Sequence, residues 1–577
     1  MRENVDSHRF WILLASSVVL VLLSSVSLAA EITVDDDGTE DYTTIQAAVN
    51  AAVDDDTILV YPGTYSENVD VGKELNITSV GGVSVTHVYA DNTDKDVFHI
   101  TADSVTINGF NMSRATGTSC SGIRIEGNHS TIINNIVSNN KLGITLFISD
   151  NNNITGNTAS GNNYAGIYLQ LSDNNDLNDN IVSENNQYGI YLASAGGISR
   201  SNNFINNTVS KNNKGIFLQS PQDSTLTDNT VFNNTNDGIT LDSFGDLFYV
   251  ENNTLIGNTV LNNKNGIYIK KINGNALIGN IALDNNNGIK IDYSYYNNLT
   301  QNNISNNTDN GVHFVSSHEN RLVNNTILNN KIGLRLGGYY GSSNNFVGNN
   351  YFNNSNNAYF DADSDNHWNT TKTTGPNIIG GPYIGGNFWA KSDGSGWSQE
   401  KADNDGDGFC DSIYELSDGN IDYLPLAGDS TGPSVVPISP MEQTVGPGEL
   451  LELNVSVTDD SEISSVVVNV SSVNDTINEA VLSNVNGYWV NNSITLDVNP
   501  HGMYNLSINA TDEFGNSNTS MNLSVIGEST TPGDGNEEDG GNFVYHPQPL
   551  FDVPTGNPLL LVGVLGLVVM FFVRRRE

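Results

Sequence analysis

A run of aspartates near residue 403 is the part of the sequence most suited to binding a metal ion. Asp403, Asp405, Asp407 and Asp411 follow the order Asp-x-Asp-x-Asp-Gly-x-x-Asp. Carboxylates at positions 1, 3, 5 and 9, a glycine for the sharp turn, and the backbone carbonyl of Phe409 at position 7 have the spacing of the first two thirds of a calcium loop. The motif therefore predicts a structural Ca²⁺ cofactor, with an ordinary acidic turn as the alternative.

The acid that completes a calcium loop at position 12 is displaced in this sequence. Tyr414 stands at that position, and Glu415 follows one residue later. A bidentate carboxylate at this place normally closes the coordination sphere. Glu415 is therefore the predicted last ligand, reached through a longer turn, and Asp418 or Asp422 is the later alternative.

A second group of residues could bind sugars. The element Gly-Ile-x-Leu recurs along the chain with small variations, and its variable residue reads, copy by copy, Arg124, Thr145, Tyr168, Tyr191, Phe217, Thr240, Tyr268, Lys290, His313 and Arg335. If successive copies stack, these side chains form one column on the protein surface. Aromatic faces suit sugar rings, and cations suit a uronate carboxylate or a sulfate.

The predicted carbohydrate-binding residues are Tyr168, Tyr191, Phe217, Tyr268, Lys290, His313 and Arg335. The aromatic side chains are the expected stacking platforms, and the basic or titratable ones are the expected contacts for anions. Positive charge concentrated on a chain of net charge −42 is more informative than it would be on a neutral chain. The alternative is that aromatic and β-branched residues only stack across a parallel sheet and stabilise it.

Catalytic residues cannot be assigned from the sequence. Asp292, His313, Glu319, Arg321 and Arg335 could approach one another across neighbouring repeats and form a polysaccharide lyase, hydrolase or epimerase site. However, the chain has no Gly-His-Gly, no Arg-Ile-Lys and no paired aspartates in a repeat strand. A structural or carbohydrate-binding role without catalysis is therefore the favoured interpretation.

The histidines give little support to a copper or other metal-delivery role. The chain has nine of them, and only His313 and His318 are spaced closely enough to share a metal. A metal-delivery protein is therefore the third function class.

The column depends on a repeat that runs through the middle of the chain. Its glycine recurs every 21 to 28 residues at Gly122, Gly143, Gly166, Gly189, Gly215, Gly238, Gly266, Gly288, Gly311 and Gly333. An asparagine marker precedes each later glycine at Asn135, Asn157, Asn180, Asn207, Asn229, Asn258, Asn280, Asn303 and Asn325. Short β-branched runs separated by Asn-rich turns, without helical spacing, are typical of a parallel β-helix.

The physical chemistry of such a fold explains why 89 of the 577 residues are asparagine. In each coil two residues such as Ile167 and Leu169 point inward while Tyr168 points outward, and coils stack about 4.8 Å apart. Asparagine tolerates a left-handed backbone at corners, and its amide can bond to the asparagines above and below it. Stacked aspartates would repel one another. Longer intervals predict loops at Ala195–Ser201 and Ser243–Val250.

Both ends of the solenoid carry recognisable sequence. Thr43–Val53 has the apolar spacing of a short amphipathic helix, expected as an N-terminal cap over residues 31–121 with the first coils. Further motifs follow the coils of residues 122–376, within the predicted cap 377–431: Gly385–Trp389, Asp403–Gly408 and Asn420–Leu426. Together these residues resemble the NosD-like, carbohydrate-binding and sugar-hydrolase (CASH) type β-helix surface proteins. The resemblance implies a right-handed, pectin-lyase-like parallel β-helix, in a family that includes binders, enzymes and a copper-linked periplasmic protein.

The termini predict export and attachment to a membrane. Residues 1–30 read as a signal peptide, 432–527 as an immunoglobulin-like β-sandwich, 528–557 as a flexible stalk and 558–577 as a transmembrane segment with a basic tail. The tail also resembles the sorting tails of archaeal surface proteins, although Thr555–Pro558 stands where many of those carry Pro-Gly-Phe.

Composition narrows the possible partners. The 23 basic and 65 acidic residues give a net charge of −42, which excludes a direct nucleic-acid partner, and two cysteines exclude a disulfide scaffold. The sequence thus predicts an all-β, exported, membrane-tethered protein on the outer face of the cell, with a structural or glycan-binding role.

Overall fold

Most of the chain winds as a parallel β-helix in which each turn places one strand in each of three sheets. The computed structural model describes residues 29–243, 251–361, 364–428, 432–439, 442–446, 448–459, 462–496, 502–512 and 517–527. The predicted stalk and terminal membrane segment lie outside these residues, as does the signal peptide as far as residue 28. The helices of the described part have seven and four residues, and neither is long and apolar enough to cross a membrane.

The three sheets have 14, 13 and 14 parallel strands. The first sheet contains Glu31–Val34, Thr57–Val60, Asn76–Ser79, Thr106–Asn108, Thr131–Ile133, Asn153–Thr155, Asp176–Asn178, Asn203–Ile205, Thr225–Thr227, Thr254–Ile256, Ala276–Ile278, Asn298–Thr300, Arg321–Val323 and Phe346–Gly348. The second contains Val69–Val71, Phe98–Ile100, Ser121–Ile125, Leu142–Phe147, Ala165–Gln170, Tyr188–Ala193, Lys214–Gln219, Asp237–Asp242, Asn265–Lys270, Asn287–Asp292, Asn310–Val315, Ile332–Gly337 and Asn356–Phe360. The third contains Gly63–Ser66, Thr86–Tyr89, Asn111–Ser113, Ile136–Ser138, Thr158–Ser160, Ile181–Ser183, Thr208–Ser210, Thr230–Phe232, Thr259–Leu261, Ile281–Leu283, Asn303–Ser305, Thr326–Leu328, Tyr351–Asn353 and Phe388–Ala390. The predicted β-helix is confirmed.

Aliphatic side chains fill the interior of the solenoid. Ile167 and Leu169 are fully buried, as are their counterparts in the coils above and below. The repeat glycine lies where the second sheet begins. A Cβ added at Gly166 would lie 2.4 Å from Cγ1 of Val182, and one added at Gly266 would lie 2.5 Å from the carbonyl oxygen of Gly288. A side chain does not fit there, which explains why glycine starts every copy of the element.

Buried asparagines form hydrogen-bonded ladders along the axis, as predicted. At Asn258 the amide nitrogen donates to Oδ1 of Asn280 at 2.9 Å, and Oδ1 accepts from the amide nitrogen of Asn229 at 2.9 Å. One of the marker asparagines named above, Asn303, does not belong to the ladder. Asn302, rather than Asn303, is the ladder residue, because the left-handed corner falls at Gln301 (φ 57°). Asn303 instead begins a strand with its side chain exposed.

Two further ladders occupy the other corners. One is exemplified by Asn162, whose amide donates to Oδ1 of Asn185 at 3.0 Å, and the other by Asn152, whose amide donates to Oδ1 of Asn175 at 2.9 Å. In all three ladders Oδ1 also accepts a backbone N–H from the preceding coil. Asparagine therefore satisfies the backbone at each corner as well as its neighbours' side chains.

Both ends of the solenoid carry additional structure. The predicted N-terminal helix is present but shorter, over Ile45–Ala51, and the side chain of Thr44 accepts a hydrogen bond from the backbone N–H of Ala47. The C-terminal end adds the helix Trp397–Glu400 and two small antiparallel sheets, Thr373–Thr374 with Tyr383–Ile384 and Tyr414–Ser417 with Asn420–Asp422.

The region after residue 431 forms two antiparallel-rich sheets around its own buried core. One contains Ser434–Ser439, Leu453–Thr458, Ser483–Val485 and Tyr488–Asn491. The other contains Glu442–Val445, Ile463–Asn469, Glu479–Val481, Gly502–Asp512, Ser517–Asn518 and Asn522–Gly527. Its assignment to the immunoglobulin-like class remains a prediction.

The structure describes the first of the two predicted loops and both cysteines. The loop at Ala195–Ser201 contains the short strand Ser199–Arg200, paired with Pro221–Gln222. Most of the second loop, at residues 244–250, lies outside the described residues. Cys120 and Cys410 are free thiols.

Candidate functional site

The outer face of the second sheet carries the predicted column. Strand pairing places Tyr168 opposite Tyr191, Tyr191 opposite Phe217, and so on from Arg124 to Arg335 without a break. The column extends further than the sequence element indicated, to His99 and Asp70 at one end and Tyr359 at the other. Those coils lack the Gly-Ile-x-Leu element, so only their alternating apolar residues could have revealed them.

The middle of this face is a cluster of aromatic rings. Tyr191 stacks on Tyr188 at a centroid distance of 4.3 Å and on Phe217 at 5.3 Å, and it lies 5.4 Å from Tyr168. Tyr164 meets three of these tyrosines edge-on. Tyr164 and Tyr188 were missed by the sequence argument because they precede the repeat element rather than occupy it. We call these five residues the tyrosine cluster.

The rings differ in their availability to a ligand. Tyr164, Tyr168, Tyr188 and Tyr191 are partly exposed. Phe217 is only 7% exposed, because Tyr188 and the ammonium group of Lys214, 4.2 Å from its ring centroid, cover it. Phe217 therefore offers little ring surface to a ligand, whereas Tyr188, which stacks against it, is partly exposed. Burial raises the pKa of Tyr168 to about 12, so its hydroxyl stays protonated at neutral pH.

The predicted basic end of the column does not present free positive charge. The guanidinium of Arg335 makes a bidentate pair with Asp361 at 2.7 and 2.8 Å, and Nζ of Lys290 lies 3.9 Å from the carboxylate of Asp292. The sequence placed Asp292 near His313 and Arg335 but did not pair it with Lys290, and it did not indicate Asp361. The aspartates come from the neighbouring outward positions and from the next coil, so they could not be paired with it by spacing alone.

His313 is also uncharged at neutral pH. Burial, together with the nearby charges of Arg335 and Lys290, lowers the pKa of His313 to about 4. The three residues predicted to contact anions therefore sit in one column, as predicted, but do not form a cationic patch.

Tyr268 links the column to the acidic residues beside it. Its hydroxyl donates to Oδ2 of Asp292 at 2.8 Å, and Nζ of Lys290 lies 4.9 Å from its ring centroid. Burial and the adjacent Asp292 raise the pKa of Tyr268. This hydroxyl is therefore committed to a neighbouring carboxylate and remains protonated.

The residues considered for catalysis are not all brought together. Asp292, His313 and Arg335 share the second sheet. Arg321 begins a strand of the first sheet and packs its guanidinium on the ring of Phe346 at 4.6 Å. Glu319 lies in the turn before it, outside the sheet-2 face. The structure thus supplies no assembled acid–base pair from this set.

A depression of about 380 Å³ lies at the N-terminal side of the tyrosine cluster. It is lined by Thr118, Ser119, Arg124, Lys141, Leu142, Thr145, Phe147, Tyr164, Tyr168 and Gln170. Ligand sites in proteins typically enclose about 300–1,000 Å³ and combine aromatic walls with a few polar groups. This depression has both properties.

The aspartate motif forms a carboxylate cluster in the C-terminal cap. Ligand oxygens of Asp403, Asp405 and Asp411 lie within 4.8 Å of one another. The carboxylate of Asp403 accepts backbone N–H groups of Gly406 and Gly408, both at 2.8 Å. Repulsion from neighbouring carboxylates, Asp407 first, raises the pKa of Asp405. Three of the predicted ligands are therefore gathered as a cation would require.

Two further predicted ligands, Asp407 and Glu415, lie outside this cluster. Asp407 instead pairs with Nζ of Lys372 at 3.0 Å. Glu415 lies in a strand opposite Ile421 with its side chain exposed. The ring of Phe409 is buried in the core of the cap, where it packs with Phe388 and Leu426.

Asp422, the later alternative ligand, is buried in the cap. Its carboxylate accepts from the backbone N–H of Asn387 and from Nε1 of Trp389, both at 2.9 Å. Burial raises the pKa of Asp422 to about 6. It is therefore a structural acceptor rather than a metal ligand.

The described residues offer no ligand set suited to copper. Among them, the only group of three or more His, Cys, Asp or Glu side chains close enough to share a metal is the carboxylate cluster. Copper favours nitrogen and sulfur ligands. His318 stacks on Tyr295 and accepts a backbone N–H from Ser343, away from His313.

Comparison with known families gives two matches. A model described as "Periplasmic copper-binding protein (NosD)" matches residues 49–236 and 246–394, more than half of the chain. A model of the VPxxxP-CTERM archaeal protein sorting domain matches residues 553–577, where Val553, Pro554 and Pro558 supply the pattern. The tail thus has its own signature in place of Pro-Gly-Phe. Together the matches point to an exported, surface-anchored protein.

Solved structures similar to this chain include several carbohydrate-active proteins. The A-module of the mannuronan C-5 epimerase AlgE6 of Azotobacter vinelandii is 15% identical, with 58% of this chain and 92% of that chain covered and a TM-score of 0.39. The catalytic unit of a GH87 alpha-1,3-glucanase from Streptomyces thermodiastaticus is 15% identical, with 59% and 70% covered and a TM-score of 0.44. No curated protein matches the chain.

Proposed function

Because the chain belongs to the NosD family of β-helix proteins, we propose that it is a cell-surface protein that binds polysaccharide along the outer face of its second sheet. The observation that carries this proposal is the tyrosine cluster. Four partly exposed tyrosine rings from two successive coils lie within stacking distance of one another on one face. Large exposed aromatic surfaces are uncommon on proteins without a ligand or partner.

The remainder of the face supplies hydrogen-bonding groups for sugar hydroxyls. In the coils beyond the cluster, the ion pair of Lys270 with Asp242, at 3.3 Å, is partly exposed, whereas the Asp292 carboxylate beside Lys290 is buried and bonded to Tyr268. A paired ammonium and carboxylate present donors and acceptors side by side. This pattern suits a chain of hydroxyl groups better than a run of free charge.

A structural calcium ion in the C-terminal cap accompanies this proposal. The carboxylate cluster of Asp403, Asp405 and Asp411 supports it, because a cation would relieve the repulsion that raises the pKa of Asp405. Attachment to the membrane through residues 553–577 is supported by the sorting-domain match. A catalytic role has less support, since the residues considered for it are not all brought together. A copper role has less support, since the one group of three or more metal-ligating side chains gathered in the described residues consists of carboxylates.

Binding of purified full-length protein to a panel of neutral and acidic polysaccharides tests the main proposal. We expect Tyr191→Ala and Tyr164→Ala each to weaken binding at least about fivefold, because each removes a platform worth about 1 kcal/mol or more. Tyr488→Ala is the matched control, an exposed tyrosine of the C-terminal two-sheet unit. Circular dichroism checks that the variants fold. Wild-type protein that binds no polysaccharide, or cluster variants that bind like the control, would refute the proposal.

A further inference from the structure

We propose that the depression beside the tyrosine cluster is a subsite for an anionic sugar unit, with Lys141 and Arg124 recognising its carboxylate or sulfate. This inference rests on the proposed polysaccharide function and names the ligand chemistry of one part of the same face. It places recognition of negative charge at the N-terminal end of the cluster, opposite the end that the sequence pattern indicated.

Lys141 is distinguished from the other lysines of this face by its lack of a counterion. Lys214, Lys270 and Lys290 each lie within 4 Å of an aspartate carboxylate. Within the described residues, no carboxylate lies within 4 Å of Nζ of Lys141, and the centroid of the Tyr164 ring lies 5.6 Å from it. On a chain of net charge −42, an unpaired ammonium in a depression is a specific feature.

Arg124 also lines the depression, and because its charge is paired with Glu126 it would contribute hydrogen-bond donors rather than free charge. Its Nε donates to Oε1 of Glu126 at 2.7 Å, and its guanidinium carbon lies 4.6 Å from the ring centroid of Phe147. This arrangement holds the guanidinium plane in place. The terminal amino groups have no recorded protein partner in the described part of the chain, so they remain able to donate to an oxyanion. Fixed guanidinium donors recognise planar carboxylates and sulfates well.

The walls of the depression suit a sugar ring. Tyr164 and Tyr168 lie on one side, and Thr118 and Ser119 supply hydroxyl groups on another. A sugar stacked on Tyr168 would continue onto Tyr191, 5.4 Å away in the next coil. The same polysaccharide chain can therefore place an anionic unit beside Lys141 and Arg124 while its uncharged ring faces lie on the tyrosines.

The test compares three tetrasaccharide probes of different charge: tetragalacturonate, a sulfated cellotetraose and unmodified cellotetraose. Binding to the purified full-length protein is measured by isothermal titration at low and at physiological salt. The variant is Lys141→Met, which keeps the apolar stem and removes the charge. Lys211→Met is the matched control, since it also removes one charge but Lys211 directly follows a strand of the third sheet and is paired with Glu184.

We expect Lys141→Met to weaken binding of the charged probe at least about tenfold at low salt, because a hydrogen bond to a charged group is lost. The loss should shrink at higher salt, and cellotetraose binding should change less than about twofold. Selective loss for tetragalacturonate identifies a carboxylate as the recognised group, and selective loss for the sulfated probe identifies a sulfate.

Equal effects on charged and neutral probes, or a Lys141→Met variant that behaves like Lys211→Met, would overturn the anionic subsite. The proposed function would still stand in that case if Tyr191→Ala weakens all probes. A second variant, Arg124→Lys, keeps the positive charge but removes the planar set of guanidinium donors. We expect it to bind the charged probe at least about threefold more weakly. An unchanged affinity in that variant would likewise count against the subsite.

Discussion

Replacing Asn302 with alanine is expected to destabilise the β-helix, whereas the same change at the adjacent Asn303 is expected to have almost no effect. Asn302 is 1% exposed, and its Oδ1 accepts from the backbone nitrogen and the amide nitrogen of Asn280 at 2.9 and 3.0 Å. Its own amide donates to the carbonyl of Leu277 at 2.9 Å and to Oδ1 of Asn325 at 2.8 Å. Asn303 is exposed and belongs to no ladder.

The size of the effect follows from the groups that lose their partners. Alanine at position 302 leaves the backbone N–H of Asn280 with no acceptor, which costs about 1–3 kcal/mol in a buried site. Three further hydrogen bonds disappear, each worth about 1 kcal/mol. Some of their partners keep a second bond, such as the amide of Asn280 to the carbonyl of Leu255. The expected loss in free energy of unfolding is therefore about 4 kcal/mol. The exposed Asn303→Ala should stay within about 0.5 kcal/mol.

Thermal unfolding and hydrogen exchange measure this difference. For a solenoid of about 400 residues the unfolding entropy is about 0.8 kcal/mol/K, so about 4 kcal/mol corresponds to a fall in Tm of about 5 °C. Repeat structures can open locally, so exchange of the Asn280 amide is the sharper measurement. Equal effects of the two substitutions, or a larger effect at Asn303, would refute the assignment of the ladder and of the corner at Gln301.

Two other predictions concern the C-terminal cap. Calcium should raise the Tm of the wild-type protein, and at a calcium concentration of 100 times Kd the free energy of unfolding should increase by about 2.7 kcal/mol. The double substitution Asp405→Asn with Asp411→Asn should abolish this shift, whereas Asp418→Asn should keep it. An identical wild-type Tm with calcium and with chelator would contradict the calcium site. The pKa of Asp422 rises from 3.8 to about 6 on folding, so its contribution to stability is full below pH 4 and is lost as pH rises through 6. Relative to Asp422→Asn, the wild type should therefore gain about 2 kcal/mol between pH 7 and pH 4, and a difference that does not depend on pH would argue against a buried carboxylate.

The fold was predictable because its signals are local and repeated. The glycine of each element marks a place where a Cβ would collide with the next coil, as at Gly166. The alternation of Ile167, Tyr168 and Leu169 gives the inward and outward faces directly. Both signals depend on neighbours within one coil or one coil away, so a repeat of about 23 residues reveals them.

The adjacent pair Asn302 and Asn303 shows where this reasoning fails. Both residues are asparagine, and composition alone does not indicate which one occupies the corner. The left-handed backbone falls at Gln301, a residue type without a strong preference for that conformation. The choice is made by the register of the coils above and below, which places Asn302 in line with Asn280.

The charges of the candidate site were harder to predict than its geometry. The column positions of Lys290 and Arg335 follow from the repeat, but their partners do not. Asp292 lies two residues along the same strand and Asp361 lies 26 residues further on. Pairing depends on side-chain direction across coils, so the unpaired Lys141, in the turn before the element, became visible only in three dimensions.

The three polar corners also determine how the length of this molecule can change. A short insertion within a coil would move one corner amide out of line and leave its neighbours in two adjacent coils without partners. A whole coil of about 22 or 23 residues adds one asparagine to each ladder and disturbs none, and it lengthens the solenoid by about 4.8 Å. The longer interval at Ala195–Ser201 satisfies the same rule, since the extra residues loop out between corners. Growth or shortening by complete coils therefore sets the length of the outer face in fixed steps while its cross-section stays constant.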